Sequence, residues 1–493
     1  MLLNDLVDAS SRVRATSGRL AKIGHLADLL RRAGPDEIAI AVSYLSGEVR
    51  QGRIGVGYAA LRDAAGSPAA IPSLTLDEVD RRLGQIMATR GAGSAGERRR
   101  LLAEFFGKAT SAEQEFLFLL VIGELRQGAL EGIMIEAIAR AAGLPAAEIR
   151  RAVMVSGELA PVAEAALAEG RGGLGRFSVE VFRPLRPMLA QTAEDAEDAL
   201  RRFSPAGFEY KLDGARVQVH KAGGEVRIFT RELNDVTTAA PEIVEAVEAL
   251  AADSLILDGE AISFRPDGKP QPFQVTMRRF GRKLDVAAMR GSLPLSALFF
   301  DCLYLDGRTL IDEPQNERAA ALTRALPSEL RVPRLVTGDP EAAGAFIEEA
   351  LTRGHEGVMA KALDATYEAG ARGAGWLKIK RAHTLDLAVL AAEWGHGRRR
   401  GWLSNLHLGA YDPESGGFVM LGKTFKGMTD EMLAWQTERL QALATESDGH
   451  VVHVRPELLV EVAFNDIQAS PHGSRGRCRS CPPPPGACPG GSP

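Results

Sequence analysis

Apolar residues in the first part of the chain recur at the three- and four-residue spacing of amphipathic helices. Phe116, Leu119 and Leu120 show this spacing, and so does the run Ile133–Ala142. Proline and glycine separate the helical runs from one another. Residues 1 to about 170 are therefore predicted to form an almost entirely helical region.

A six-residue segment occurs twice in this helical region. Residues 47–52 are Gly-Glu-Val-Arg-Gln-Gly and residues 123–128 are Gly-Glu-Leu-Arg-Gln-Gly, each after an apolar helical run. The repeat indicates two related helical halves, which are too few for a repeat array. Two interpretations stand side by side. Each copy is a turn that ends a helix, or Arg50 and Arg126 present two loops to a phosphate backbone.

The pattern changes after a glycine-rich segment, residues 170–176, which we interpret as a joint between domains. Residues 216–220 and 225–230 alternate apolar and polar positions around a Gly-Gly turn, which predicts a hairpin. Three further core strands and two amphipathic helices are predicted at 255–257, 298–305, 357–360, 241–252 and 341–353. A mixed α/β domain is therefore expected to reach about residue 383.

From Leu385 onward the pattern indicates strands with a single helix. The strands are predicted at 385–394, 406–411, 418–425, 451–454 and 458–464, and the helix at about 429–445. Five short strands with a helix between the third and the fourth are typical of an OB-fold barrel. We therefore expect a multidomain α+β protein, with an all-helical domain at 1–175, a mixed α/β domain at 176–383, an OB-fold barrel at 384–470 and a tail at 471–493.

The composition of the 493-residue chain is typical of a globular protein. Hydrophobic residues make up 45% and charged residues 25%, which excludes a disordered chain and a coiled coil. No apolar run of about 18 residues occurs, and the first residues lack the pattern of a secretory signal. Four cysteines in so long a chain also fit a reducing compartment. We expect a cytoplasmic location without a membrane partner.

Net charge neither supports nor excludes a nucleic-acid partner. The net charge is −5, but binding depends on where the cations cluster on the surface. Three basic clusters, at residues 98–100, 278–283 and 398–400, lie one in each predicted domain. This distribution suits sequence-independent binding around a phosphate backbone.

The segment with the most specific chemistry is Glu-Tyr-Lys-Leu-Asp-Gly-Ala-Arg at residues 209–216. A partly buried lysine among other cations has a lowered pKa and can attack phosphorus as a neutral amine. Other cations that could neutralise a triphosphate are Arg231, Lys361, Arg372, Lys378 and Lys380. Carboxylates that could hold Mg²⁺ are Asp213, Asp258, Glu260 and Glu356. Each piece alone is more often a surface turn or a solvated strand, so their shared order is the evidence.

In that order, the motifs resemble the covalent nucleotidyltransferases, and among them the ATP-dependent DNA ligases with a helical N-terminal DNA-binding domain. The motifs are Lys211-Leu-Asp-Gly-Ala-Arg216, Thr230-Arg231, Leu257-Asp-Gly-Glu260, Phe299-Phe300-Asp301, Glu356-Gly-Val-Met-Ala-Lys361 and Trp376-Leu-Lys378-Ile-Lys380. The resemblance runs from near residue 1 to about residue 472. It implies that residues 176–383 form the adenylation domain.

The resemblance also implies roles for single residues. Lys211 would be the catalytic residue that carries AMP, Glu209 would meet the adenine edge, and Phe300 would stack on the ring. Because Phe299 and Phe300 point to opposite faces, one can lie in the core while the other reaches the nucleotide. The remaining implied groups are Glu260 for the ribose hydroxyl, Glu260 and Glu356 for the metal, Arg216 and Arg231 for ribose and phosphate including the 5′-phosphate of a nick, and Arg372, Lys378 and Lys380 for the α-phosphate.

The implied reaction consumes ATP with Mg²⁺ and seals nicked duplex DNA in replication, repair or recombination. Lys211 takes AMP from ATP, AMP passes to the 5′-phosphate at the nick, and the 3′-hydroxyl displaces AMP. Mg²⁺ and the lysine and arginine side chains stabilise the charge at each step. The resemblance is to a monomer associated with the bacterial nucleoid.

The chain departs from this family at its end, where the basic final motif ending in Arg-x-Asp-Lys is missing. The last 23 residues, from Pro471, contain seven prolines, five glycines, three cysteines and no acid. We expect this tail to be aberrant and disordered. It supports one alternative, a nick-binding protein with impaired self-adenylylation. Another alternative is an RNA ligase or capping-type nucleotidyltransferase, which the helical N-terminal region argues against.

Overall fold

The structure, a computed structural model, describes residues 1–52, 54–91, 93–125, 131–281, 285–368, 372–381, 383–396, 399–425 and 427–464. The chain folds as two compact units with their boundary between Ile379 and Lys380. Within these residues, the first unit contains a helical region and two β-sheets, and the second contains one β-sheet and one helix. Within the ranges given above, every helix is too short or too polar to cross a membrane.

Helices α1–α10 account for the N-terminal region, as the apolar spacing predicts. They are α1 (Leu3–Ala15), α2 (Arg19–Arg32), α3 (Ile38–Leu45), α4 (Tyr58–Ala64), α5 (Leu76–Ala88), α6 (Ser94–Phe106), α7 (Ser111–Val121), α8 (Glu131–Ala142), α9 (Ala146–Ser156) and α10 (Leu159–Leu174). Helix α5 illustrates why these segments form helices. Thr75 accepts a hydrogen bond from the Glu78 backbone N–H at the first turn, and Leu76, Val79 and Leu83 lie on the buried side.

The two copies of the repeated segment begin with the same helix-ending turn. Gly47 (φ 81°) follows α3 and Gly123 (φ 74°) follows α7, and both have the left-handed backbone that glycine adopts without strain. The next N–H in each copy donates to a carbonyl oxygen five residues back, at 2.9 Å. The helix-end interpretation is therefore what the structure contains. Arg50 is ion-paired with Asp80 at 3.0 Å, and Arg126 lies outside the described residues.

The glycine-rich segment at 170–176 differs from the extended joint that its composition suggests. Helix α10 continues to Leu174, with a sharp break at Gly170 (φ 62°, ψ −140°). A Cβ on Gly173 would lie 2.5 Å from the Ala165 carbonyl oxygen. Glycine here permits close packing of two helical pieces rather than a loose linker. The domain boundary at 175 stays a prediction.

The remainder of the first unit alternates strands and helices. Its elements are β1 (Leu189–Thr192), α11 (Ala196–Arg202), β2 (Ala206–Lys211), β3 (Ala215–Ala222), β4 (Glu225–Thr230), α12 (Pro241–Glu248), β5 (Ser254–Ile262), α13 (Phe273–Thr276), α14 (Val286–Ser292), β6 (Ser296–Leu305), β7 (Arg308–Thr309), α15 (Gln315–Ala325), β8 (Arg334–Thr337), α16 (Pro340–Thr352), β9 (Gly357–Ala362) and β10 (Arg372–Lys380). The predicted hairpin is confirmed as β3 and β4, with Ala222 opposite Glu225.

These strands form two sheets that provide the framework of the site. One sheet has the order β1-β10-β9-β2-β8, and β2 runs antiparallel to both β8 and β9. The other has the order β4-β3-β5-β6-β7. The helical core packs directly against the second sheet, because it includes Ile256 of β5 and Leu303 of β6.

The second unit is an antiparallel sheet with one helix. Its elements are β11 (His383–Trp394), β12 (Leu403–Asp412), β13 (Gly417–Thr424), α17 (Asp430–Ala442), β14 (Ala444–Ser447), β15 (Val451–Val454) and β16 (Leu459–Phe464). The strand order is β13-β12-β11-β15-β14, and β16 also pairs with β11. The predicted fold class is therefore confirmed, with a helical region, a mixed region and an antiparallel C-terminal region.

Strand β14 corrects the prediction of a helix that reaches residue 445 and of five strands. Helix α17 ends at Ala442, and residues 444–447 pair with β15. All four residues of β14 are exposed. An edge strand without a buried face lacks the apolar alternation by which a sequence reveals a strand.

Arginines of the predicted basic clusters form ion pairs within the protein, so the clusters are not simply free cationic surfaces. Arg100 pairs with Glu97 at 2.6 Å and also with Glu104. Arg279 is fully buried and pairs with Glu242 at 2.7 Å, so its assignment to a DNA-facing cluster is wrong. Residues 282, 283 and 398 lie outside the described ranges.

A fully buried ion pair connects α15 to β6. The Arg318 guanidinium lies 2.8 and 3.1 Å from the two carboxylate oxygens of Asp301, and neither side chain is exposed. Arg318 also donates to the carbonyl oxygens of Glu313 and Ala365 at 2.7 and 2.9 Å. The arginine thereby connects β6 to the segments that contain Glu313 and Ala365.

Replacing Arg318 by methionine should lower the free energy of unfolding by roughly 3–5 kcal/mol, because Asp301 would remain buried without its partner. Chemical denaturation measures the change. The matched control is Arg308→Met, which removes an exposed pair with Glu313 at 2.7 Å and should cost less than about 1 kcal/mol. Equal losses in the two variants would contradict the role given to the buried pair.

Candidate active site

Two polar sheet faces meet beside the end of β2. Side chains alternate along a strand, so Glu209 and Lys211 share one face of β2 while Phe208 and Tyr210 pack in the core on the other. The register places Lys361 of β9 on the same face as Glu209. The second sheet contributes Arg216, Asp258, Glu260 and Phe300 from β3, β5 and β6. These faces are in contact, because the Lys361 ammonium donates to the Phe300 carbonyl oxygen at 2.8 Å.

Lys211 is held at the end of β2 by Glu356. The Glu356 backbone N–H donates to the Lys211 carbonyl oxygen at 3.1 Å, and the Lys211 ammonium is ion-paired with the Glu356 carboxylate. The two side chains are 21% and 18% exposed, so both can reach a ligand. The sequence predicts cations around this lysine, whereas the structure places a carboxylate directly on it.

Gly214 explains why the nucleophile motif contains glycine. A Cβ at this position would collide with the Ala261 carbonyl oxygen and would lie 3.0 Å from the Glu260 Cγ. The Gly214 N–H donates to Glu260 Oε1 at 3.2 Å. The turn after Lys211 can therefore pack directly against β5 only because position 214 has no side chain. This packing brings Glu260 beside the turn.

Arg216 is fixed by a buried network. Its Nε and Nη2 lie 3.0 and 2.7 Å from the two oxygens of Asp258, and Nη1 donates to the Met188 carbonyl oxygen at 2.6 Å. The Tyr367 hydroxyl donates to Asp258 at 2.7 Å. Burial and the neighbouring Asp258 carboxylate raise the pKa of Tyr367 well above its ordinary value, so it stays a donor. No local pattern identifies Tyr367 as a site residue, because its partner Asp258 is 109 residues away.

Glu260 stands opposite Arg216 in the register of β3 and β5. Burial raises the pKa of its carboxyl group from 4.5 to about 7, against the opposing effects of Arg216, Lys211 and the Gly214 N–H. Near neutral pH this group therefore exchanges a proton readily. The arrival of a further positive charge would favour its ionised form.

Glu209 and Phe300 both contact Lys361 where the two sheets meet. Glu209 is 3% exposed and pairs with Lys361 at 2.6 Å. Phe299 is buried in the core, whereas Phe300 is partly exposed, which confirms the predicted alternation. The Phe300 ring contacts Trp376 edge to face, with 5.9 Å between centroids.

Known proteins match the chain over nearly its whole length. Family models described as ATP dependent DNA ligase domain, ATP dependent DNA ligase C terminal region and DNA ligase N terminus match residues 187–380, 399–480 and 63–139. A probable DNA ligase of an Anaeromyxobacter species is 63% identical, over 95% of this chain and 91% of the relative. One from Anaeromyxobacter dehalogenans is 62% identical, over 96% and 93%.

The chain belongs to the ATP-dependent DNA ligases. The solved structure named Pmar-Lig_PreS3 shares its fold, with a TM-score of 0.63 and 18% identity over 95% of this chain and 96% of that one.

Three further residues predicted for the site of the ligase lie on β10. Lys378 lies partly exposed on β10, on the same face as Trp376 and opposite the buried Leu377. Lys380 ends that strand and begins the second compact unit. Arg372 begins β10, where its backbone pairs with Leu189, but its side chain lies outside the described residues.

Arg231 is separated from the Lys211 group. It is exposed in the turn after β4 and lines a cavity of about 760 Å³ together with Arg50, Arg186 and Glu131. Neither Lys211 nor Glu260 lines this cavity. A phosphate contact of Arg231 would therefore be made from this cavity.

The carboxylates around Lys211 have the chemistry of a magnesium site completed by substrate. Glu260 and Glu356 offer hard oxygen ligands on either side of the Lys211 turn. In the described ranges, three or more histidine, cysteine or acidic side chains never gather closely enough to hold a metal ion. Mg²⁺ is commonly held by one or two protein carboxylates together with phosphate oxygens and water. This donor set fits such an ion.

The raised pKa of Glu260 predicts a pH-dependent difference in stability. The folded state binds this proton more tightly than the unfolded state, so Glu260 lowers stability as pH rises from about 4.5 to about 7. Glu260→Gln keeps an acceptor for the Gly214 N–H without the charge. Its stability relative to the native protein should increase by on the order of 2 kcal/mol across that window.

Thermal unfolding at pH 5 and pH 8 without nucleotide or metal measures this difference. The matched control is Glu232→Gln, an exposed carboxylate in the turn after β4, for which the difference should stay constant with pH. A constant difference for Glu260→Gln as well would show that its carboxyl group is not buried in the protonated form.

Proposed function

We propose that this ligase seals nicks in duplex DNA through AMP covalently attached to Lys211, and that the cleft between the two sheets is the nucleotide site. The observation that carries the proposal is the position of Lys211. It is held by Glu356 at the end of β2, and its turn is fastened to Glu260 through Gly214. A nucleophile, two carboxylates and the anchored Arg216 thus face one cleft.

In the first step the Lys211 nitrogen attacks the α-phosphorus of ATP. A nitrogen–phosphorus bond forms, the bond to the bridging oxygen breaks, and pyrophosphate leaves with the bonding electrons. The amine must lose a proton to react, and the Glu356 carboxylate already accepts a hydrogen bond from it. Glu356 is therefore the group best placed to receive that proton.

In the second step an oxygen of the 5′-phosphate at the nick attacks the phosphorus of the Lys211 adduct, and the lysine nitrogen leaves and regains its proton. In the third step the 3′-hydroxyl attacks the activated 5′-phosphate and AMP leaves. Arg216 would stabilise the charge that develops on phosphate oxygens. Arg231, Arg372, Lys378 and Lys380 are assigned to phosphate contacts in the same reaction.

The base and ribose of AMP are assigned to the pocket beside Lys211. Glu209 would accept a hydrogen bond from the adenine amino group, Phe300 would stack on the ring, and Glu260 would bind a ribose hydroxyl. Glu260 and Glu356 would hold Mg²⁺, which when bound would neutralise phosphate charge. Nicked duplex DNA is the proposed partner of a monomeric, cytoplasmic enzyme of replication, repair or recombination.

Two other functions remain to be distinguished from this one. An RNA ligase or capping-type enzyme is disfavoured by helices α1–α10 and by DNA ligase relatives that match 95% or more of this chain. A nick-binding protein with impaired self-adenylylation rests on the tail from Pro471, which lies outside the described residues. The tail therefore needs its own experiment.

Lys211→Arg should abolish both covalent labelling by ATP that carries a labelled α-phosphate and the sealing of a nick. Arginine keeps the positive charge but stays protonated, so it cannot act as a nucleophile. Lys221→Arg is the matched control, because this buried lysine donates to the Glu248 and Leu250 carbonyl oxygens away from the cleft. Labelling that persists in Lys211→Arg would place the nucleophile elsewhere.

The tail should impair the first step more than the last, because only the first must align pyrophosphate as a leaving group. Sealing is compared on an ordinary nick with ATP and on a pre-adenylylated nick without ATP. Both assays are repeated after the residues beyond His472 are replaced by a basic segment ending in Arg-x-Asp-Lys. A selective gain on the ATP-dependent reaction is expected. Equal gains would indicate a folding defect, and unchanged rates would show that the tail is harmless.

A further inference from the structure

Lys361 is one of the most buried cations in the described part of the chain, and it lies in the proposed base pocket rather than among phosphate contacts. Its side chain is 1% exposed, and its ammonium is 2.6 Å from Glu209 Oε2. The same nitrogen donates to the Phe300 carbonyl oxygen at 2.8 Å. It also lies 4.9 Å from the centre of the Phe300 ring and 4.5 Å from that of Trp376.

These contacts connect the parts of the pocket that would touch a base. Glu209 belongs to β2, Phe300 to β6 and Trp376 to β10, whereas Lys361 comes from β9. The hydrogen bond to the Phe300 backbone spans the two sheets. One ammonium group therefore holds a carboxylate and an aromatic ring in a fixed relation to each other.

The charge of Lys361 also determines what Glu209 can recognise. Arg334 approaches the other Glu209 oxygen at 3.9 Å, so the carboxylate, which is 3% exposed, has a cation beside each of its oxygens. An ionised carboxylate only accepts hydrogen bonds, whereas a protonated one also donates. The Glu209 carboxylate that is paired with Lys361 therefore accepts hydrogen bonds and donates none.

We propose that Lys361 is a positioning residue that sets the preference of the site for adenine over guanine, an inference that rests on the proposed placement of the base edge at Glu209. Adenine carries an amino donor where guanine carries a carbonyl acceptor. An acceptor-only Glu209 pairs with the first and repels the second. Without Lys361 the Glu209 carboxylate can rotate away from this geometry, and the discrimination weakens.

The test compares ATP with GTP in covalent labelling of the full-length protein. The ratio of kcat/KM for ATP to that for GTP should fall at least about 10-fold in Lys361→Met, since a hydrogen bond to a charged group is commonly worth that much. Lys361→Arg keeps the charge and should retain most of the preference. Lys221→Met is the matched control, because it removes a buried lysine that donates to the Glu248 and Leu250 carbonyl oxygens at 3.0 and 2.5 Å. Its ratio should not change.

A second measurement separates positioning from simple support of the fold. Glu209→Gln alone should also lower the ratio, and adding Lys361→Met to it should lower the ratio little further, because both changes remove the same interaction. If Lys361→Met lowers kcat/KM for both nucleotides equally, or if the two effects simply add, the proposal is wrong. If the native protein forms no covalent adduct with ATP, the proposed Lys211 chemistry fails instead.

Discussion

The site depends on the pairing of charges that would otherwise be buried alone between two sheets. A charged side chain removed from water is costly unless an opposite charge or several hydrogen bonds compensate for it. The site satisfies this constraint with four ion pairs, which are Lys211–Glu356, Lys361–Glu209, Arg216–Asp258 and, just behind them, Arg318–Asp301. Each of the first three pairs connects neighbouring parts of one sheet, and the hydrogen bond from Lys361 to the Phe300 carbonyl oxygen joins the two sheets. Together these contacts fix the geometry of the site before substrate arrives.

This arrangement fits the chemistry of a polyanionic substrate. The buried pairs, such as Arg216–Asp258, act as fixed supports, whereas the more exposed Lys211 and Glu356 can exchange partners. A nucleotide that enters can therefore replace the contact between Lys211 and Glu356 while the buried pairs remain in place. Preorganised charge of this kind is the main contribution that a protein makes to phosphoryl and nucleotidyl transfer.

The sequence predicted what depends on local pattern. The alternation in residues 216–230 identified the β3–β4 hairpin, and the order of the motifs singled out Lys211, which ends β2. The sequence did not predict side-chain contacts between residues that are distant along the chain. It also did not predict a strand that lacks an apolar face. Tyr367 reaches Asp258 across 109 residues, Arg279 is buried against Glu242 instead of facing DNA, and the exposed β14 has no alternation. The glycines at 170–176 were interpreted as a linker because glycine is favoured both in flexible segments and where helices pack closely.

The central claim is that Lys211, and neither Lys361 nor Lys378, is the nucleophile that takes AMP from ATP. Peptide mapping by mass spectrometry after incubation with ATP and Mg²⁺ tests this most directly. The account predicts one adenylyl group on the peptide that contains Lys211 and none on those that contain Lys361 or Lys378. An adenylyl group on either of those two lysines, or on a lysine outside the first unit, would contradict it.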